Sequence, residues 1–213
     1  MSLPFTEQQF FEVFGRYNDA VTPLQIGLVL LALSAYTALM VPGRDSDRVI
    51  GAVLAALWVW MAVYHFVFFR VVNPAAALFG LASLVGAGIF AWSGALRRRM
   101  VFACESRARR IAGHALIAYA LVVYPLLSAL LGREFPQIPT FGLPCPTTIF
   151  TLGMLAFLSA PFPRYVFALP LAWAFVGAQA AFLLGVYEDL GLLVAGLVGV
   201  WLAFDQQLRR RAA

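Results

Sequence analysis

The side chains best suited to chemistry are few and widely separated: two cysteines, two histidines and an adjacent acidic pair, Glu188 and Asp189. Cys145 stands between Pro144 and Pro146 in TFGLPCPTTIFTLG, at the threshold of an apolar run. A thiol at a helix N-terminus has its thiolate favoured by the helix dipole, which suits nucleophilic or redox work, and soft metals select thiolate. One thiolate does not make a metal site, so a metal at Cys145 would need His65 or the Glu188/Asp189 pair beside it. Cys104 lies in an arginine-rich connector a bilayer away, which excludes a Cys104–Cys145 disulfide on distance. The chain has no His-rich cluster and no Ser/Asp pair at helical spacing. We therefore assign no catalytic residue, no metal site and no cofactor from the sequence. The competing reading of Pro-Cys-Pro is structural: the prolines stiffen the loop and pre-set a helix start, with Thr147 and Thr148 offering hydroxyls to the free N–H groups of the first turn.

The elements that position these residues follow from composition. The chain is 62% hydrophobic and 12% charged, with a mean hydropathy of +0.86. Soluble domains average about 25% charged residues, and a core of this size cannot hide the excess apolar surface, so lipid must cover it. All 15 basic residues are arginine. Their short clusters between apolar runs read as membrane topology rather than nucleic-acid binding. Too few Cys and His are present for a structural zinc site or a disulfide framework. The opening MSLPFTEQQFFEVF lacks a basic n-region and an apolar h-region, so no signal peptide is expected.

A helix needs roughly 20 apolar residues to cross the hydrocarbon core. Seven runs are candidates, at about 21–41, 49–69, 74–96, 111–131, 146–162, 165–185 and 189–204. The fifth and seventh are short and must either span a thinned region or be shielded by neighbours. The expected fold is all-α: a polytopic transmembrane bundle of about seven spans forming one domain over 1–213. Ahead of it, residues 6–18 read as an amphipathic helix with Thr6 as N-cap and Phe10, Phe14 and Tyr17 on one face. That helix either lies on the membrane interface or packs over the mouth of the bundle.

Alternating the connectors between the two sides puts twelve arginines on one side (Arg44, Arg48, Arg97, Arg98, Arg99, Arg107, Arg109, Arg110, Arg164, Arg209, Arg210 and Arg211) and three on the other (Arg16, Arg70 and Arg133). The positive-inside rule then sets the N-terminus outside and the C-terminus in the cytoplasm. The cluster Arg97, Arg98, Arg99, Arg107, Arg109 and Arg110 is placed to meet anionic lipid headgroups. Small-residue stripes such as Gly191, Ala195, Gly199 and Ala203 predict close helix packing and allow a homo-oligomer.

Three runs descend from the outer side, and each begins with a polar device: Asn73-Pro74, Cys145-Pro146 and Glu188-Asp189. His65 lies about one helical turn from the outer end of the second run, as an interfacial histidine with one hydrogen-bond partner or as part of a site. His114 opens the fourth run, where solvation and headgroup contact are expected. The candidate outer vestibule is Asp19, His65, Arg70, Asn73, Cys145, Thr147, Thr148, Glu188 and Asp189. No charged residue falls at mid-span, where intramembrane charges signal function; Gln25 and Gln179 are the strongest polar residues there.

The stretches PFTEQQFFEVFGRYN, NPAA, PTFGLPCPTTIFT and EDLGLLVAG resemble an uncharacterised family of small bacterial multi-pass membrane proteins, a domain of unknown function whose members sometimes carry a permease label. The resemblance implies a bacterial inner-membrane protein and assigns no active-site residue. Three expectations follow: a small permease or channel subunit with a polar outer vestibule, a non-catalytic scaffold or sensor, and a membrane-embedded thiol- or metal-dependent enzyme.

Overall fold

Seven helical segments follow the seven apolar runs. The computed structural model describes residues 4–104 and 106–212, with side chains described as far as Phe204. Arg209, Arg210 and Arg211 of the arginine tally therefore lie outside the described side chains. In chain order the segments are α1 Glu7–Met40, α2 Ser46–Val71, α3 Ala76–Leu96, α4 Arg107–Leu130, α5 Pro144–Leu155, α6 Arg164–Leu183 and α7 Leu190–Ala212. Six stretches, all except α5, are long and apolar enough to cross a membrane. Their outward faces carry large exposed side chains such as Ile26, Leu30, Leu78, Leu81 and Leu197. Such surface is stable only against lipid. The protein is an all-α, multi-span membrane protein.

Helix α1 corrects one sequence expectation. The amphipathic segment and the first span are one continuous 34-residue helix with Pro23 inside it. Thr6 caps it through a full capping box with Gln9. Asn18, which reads locally as a helix breaker, instead turns its buried amide to the connector between α4 and α5. Its Nδ2 donates to the carbonyls of Pro136 (2.5 Å) and Ile138 (2.7 Å), while Gln25 donates to its Oδ1 at 2.6 Å. Tertiary partners thus carry the helix through a site of poor propensity. Phe10, Phe14 and Tyr17 are buried in a cluster with Tyr64, Phe69 and Leu143. Of the two readings left open for this segment, the structure has the one in which it packs over the bundle.

The connectors gather at two ends. At one end Arg98 pairs with Asp45 at 2.6 Å, Phe102 N donates to Asp47 Oδ1, and Ser159 N donates to Val101 O. This end holds most of the arginines. Arg109 is an exception to the expected headgroup set: it is 4% exposed and donates to Leu158 O at 2.8 Å. Arg97 lies over the Trp92 ring at 4.3 Å. His114 is half-buried rather than solvated, with Nδ1 3.0 Å from Tyr36 Oη and its ring against Phe157. The opposite end holds the starts of α3, α5 and α7 and the connector fixed by Asn18.

Close backbone approach holds α2 to α3: a Cβ on Gly51 would lie 2.6 Å from Gly94 Cα, so no side chain fits between them. The same logic lets Tyr119 lie on Gly191 and Leu152 on Gly199, as small-residue stripes in lipid-embedded helices require. At the centre sits α5. Thr147 through Leu155 are buried without a break, enclosed by α2, α4, α6 and α7. Trp58 packs against α5, 2% exposed, and donates from Nε1 to Thr151 Oγ1. The 12-residue α5 is about 18 Å long. Beyond Leu155 the chain continues, still buried, as a non-helical stretch whose Phe157 and Leu158 carbonyls are bonded by Cys104 and Arg109. Irregular backbone at this depth is tolerated because neighbouring helices shield and satisfy it.

Candidate functional site

Where α3, α5 and α7 begin, the bundle forms a partly open cavity of about 180 Å³. Phe10 and Phe14 of α1 form one wall, Tyr64, His65 and Phe69 of α2 a second, and Trp173 and Gln179 of α6 a third. Asn73, Tyr124 and Cys145 complete it. Each arrives for a local reason. Phe10 and Phe14 share a helix face at four-residue spacing. His65 and Phe69 do the same at the end of α2. Asn73 closes a turn, its Oδ1 accepting from Ala75 N at 2.9 Å, and so places Phe79 on the inward face of α3.

Cys145 is the second helical residue of α5, not its cap. Leu143 occupies the cap position without a side-chain bond, and Pro144 starts the helix. The prolines at 144 and 146 remove two N–H groups that the first turn could not have satisfied internally, so no hydroxyl cap is needed. Thr147 and Thr148, expected to serve that turn, are fully buried, and their hydroxyls have no partner among the described residues. Asp189 does not cap α7 either. Its carboxylate is 1% exposed; it accepts a hydrogen bond from Tyr124 Oη, and Cys145 Sγ lies 3.5 Å from its Oδ2. Glu188 is fully buried, and neither of its carboxylate oxygens has a partner among the described residues. Its backbone carbonyl accepts from Tyr119 Oη at 2.7 Å.

The two tyrosines reach adjacent residues because α4 widens into a π turn over Tyr119–Val123, with Tyr124 N bonded to Tyr119 O. Pro125 follows directly, and its missing N–H and its ring disfavour a regular α turn there. The wider turn places residues five apart in register, and the Tyr119 and Tyr124 rings pack edge-to-face at 6.1 Å.

His65 departs from the interfacial reading. It is fully buried, and among the described residues neither ring nitrogen has a hydrogen-bond partner. Its neighbours are aromatic: Trp173 at 4.9 Å, Tyr64 at 5.4 Å, Phe79 at 5.7 Å and Phe69 at 6.0 Å between ring centroids. Buried polar groups in folded proteins are almost always paired, so two open nitrogens in a cavity wall stand out.

Of the nine sequence candidates, His65, Asn73 and Cys145 line the cavity. Asp189 stands behind the wall, bonded to Tyr124 and close to Cys145. Glu188, Thr147 and Thr148 are buried but do not line it, while Asp19 and Arg70 are exposed and outside it. The wall is mostly apolar, with Phe, Tyr and Trp rings prominent in it, where a polar vestibule was expected. Sequence reasoning missed Tyr64, Tyr119, Tyr124 and Trp173; the available signal was two tyrosine hydroxyls just before a proline in an apolar run. Among the described residues, no group of three or more His, Cys, Asp or Glu could hold a metal ion.

The sequence profile of a family of unknown function, DUF6064, matches residues 7–213. The chain belongs to that family. No curated protein and no solved structure matches it.

Proposed function

We propose that this DUF6064 member is a small permease of the bacterial inner membrane that receives a small, mainly apolar molecule in a cavity at its outer face. One observation carries the reading: a cavity of about 180 Å³ with apolar, ring-rich walls and a fully buried His65 whose nitrogens lack partners among the described residues. Pockets of this kind, apolar with a few convergent polar groups, are the default ligand sites of proteins. The reading takes the chain as one domain crossing the bilayer seven times, with the N-terminus outside. Two facts support that topology: the chain from Pro144 to Leu158 runs from the Asp189 end to the Arg109 end, and the arginines crowd the latter. The exposed Arg99, Arg107 and Arg110 are then the residues that meet anionic headgroups on the cytoplasmic side.

A second reading has its own observation. The unbroken burial of α5 below the cavity favours a receptor or sensor subunit that binds without transporting. Uptake into proteoliposomes separates the two. A permease takes up neutral apolar solutes, and Ala180→Trp, which fills the cavity at a partly buried lining position, abolishes the flux. Saturable binding with no flux selects the receptor. Neither binding nor flux overturns both.

A further inference from the structure

We infer that the cavity ligand is a neutral molecule of one or two fused aromatic rings carrying a hydroxyl or ring N–H that bonds the open imidazole of His65. The inference rests on the binding reading proposed above and narrows its substrate class. Size comes first: an apolar cavity of ~150 Å³ accepts benzene, so about 180 Å³ takes one ring with a substituent or a small bicycle. Shape comes next. Phe10, Phe14, Phe69, Phe79 and Trp173 line the space, and aromatic walls complement a flat ring through edge-to-face and offset contacts.

Charge and polarity decide the rest. Among the described residues no Arg, Asp or Glu lines the cavity, so neither an anion nor a cation finds a counter-charge in these walls. Two of the lining polar groups are already engaged. Tyr124 donates to Asp189, and the Asn73 carbonyl oxygen accepts from Ala75 N. Cys145 Sγ lies 3.5 Å from Asp189 Oδ2. His65 is different: it is fully buried with both nitrogens open among the described residues, and the adjacent Trp173 Nε1 is likewise buried there without a partner, an N–H that the oxygen of a ligand hydroxyl can meet. A neutral imidazole presents one acceptor and one donor. A ligand hydroxyl or N–H pairs with the acceptor nitrogen and removes the cost of leaving it buried and dry.

The test is calorimetric titration of the full chain in lipid nanodiscs with phenol, toluene, benzoate and hexan-1-ol. Ala180→Trp serves as the blank for partition into lipid. Phenol is expected to bind about tenfold tighter than toluene, the size of one well-made hydrogen bond. His65→Phe keeps the ring and removes the nitrogens, so toluene binding persists and the phenol advantage disappears. His65→Gln, which keeps a donor and an acceptor, provides the same comparison should the phenyl variant fail to fold; it retains a preference for phenol. Equal binding of phenol and toluene by the unmodified chain overturns the assignment to His65 while leaving the cavity as a binding site. Benzoate tighter than phenol overturns neutrality. Hexan-1-ol as tight as phenol makes the cavity a slot for alkyl chains and overturns the aromatic class. No saturable binding of any probe overturns the inference together with the reading beneath it.

Discussion

Replacing His65 with phenylalanine tests the site through stability alone, without any ligand. In the free protein His65 is fully buried, and both ring nitrogens lack partners among the described residues. A buried polar group left unpaired costs about 1–3 kcal/mol. A phenyl ring removes that cost and keeps the edge contacts with Trp173 at 4.9 Å and Phe79 at 5.7 Å. The adjoining cavity of about 180 Å³ accommodates the extra ring atom. The net expectation is a gain of roughly 1–2 kcal/mol. For a chain of this size that is a rise in Tm of roughly 2–8 °C, read by thermal unfolding of the purified protein. A protein made more stable by losing a site residue is the pattern expected where function, not folding, holds that residue in place. A drop in Tm of similar size would refute the reasoning, because it would mean that the nitrogens are bonded in the ligand-free protein.

Three further outcomes follow from the packing and the topology. Tyr124→Phe removes the hydroxyl that donates to the buried Asp189 and should cost about 1–3 kcal/mol in denaturant unfolding; a neutral variant would mean that water or another group serves that carboxylate. Gly51→Leu drives a side chain into Gly94, whose Cα would lie 2.6 Å from the new Cβ, whereas Gly27 has nothing within 4 Å. The first should abolish recovery of folded protein and Gly27→Leu should leave it unchanged, as measured by monodisperse yield; equal yields would refute the α2–α3 approach. Reporters fused to the two ends of the chain should respond in opposite compartments, and a shared compartment would remove the seven-crossing topology.

How much of this was legible in the sequence depends on the range of the interaction involved. The apolar runs, the Thr6 cap and the arginine clusters were readable because each is a local pattern acting on lipid, on one helical turn or on the membrane field. The continuity of α1 was not. Asn18 and Pro23 are local break signals, and what overrides them is hydrogen bonding from Asn18 to carbonyls 118 and 120 residues away. The grip of Tyr119 and Tyr124 on Glu188 and Asp189 was hidden for another reason: it depends on a π turn that places residues five apart in register, outside the 3.6-residue period. Cys145, Asn73 and His65 were picked out as unusual polar residues at helix ends, and they line the cavity. Asp19 and Arg70 were picked by the same rule yet face outward, because proximity to a helix end says nothing about which face a side chain takes. The aromatic lining needed the fold, since its rings come from several helices and each looks locally like ordinary packing.

The claim on which the functional reading turns is that the cavity opens at the outer face. Cys145 reports on it directly, being partly buried in the cavity wall. In a Cys104→Ser background, right-side-out and inverted vesicles are treated with a small membrane-impermeant methanethiosulfonate, and modification is read by mass. An outward-facing cavity predicts modification of Cys145 in right-side-out vesicles and protection by Ala180→Trp. Modification confined to inverted vesicles would contradict it.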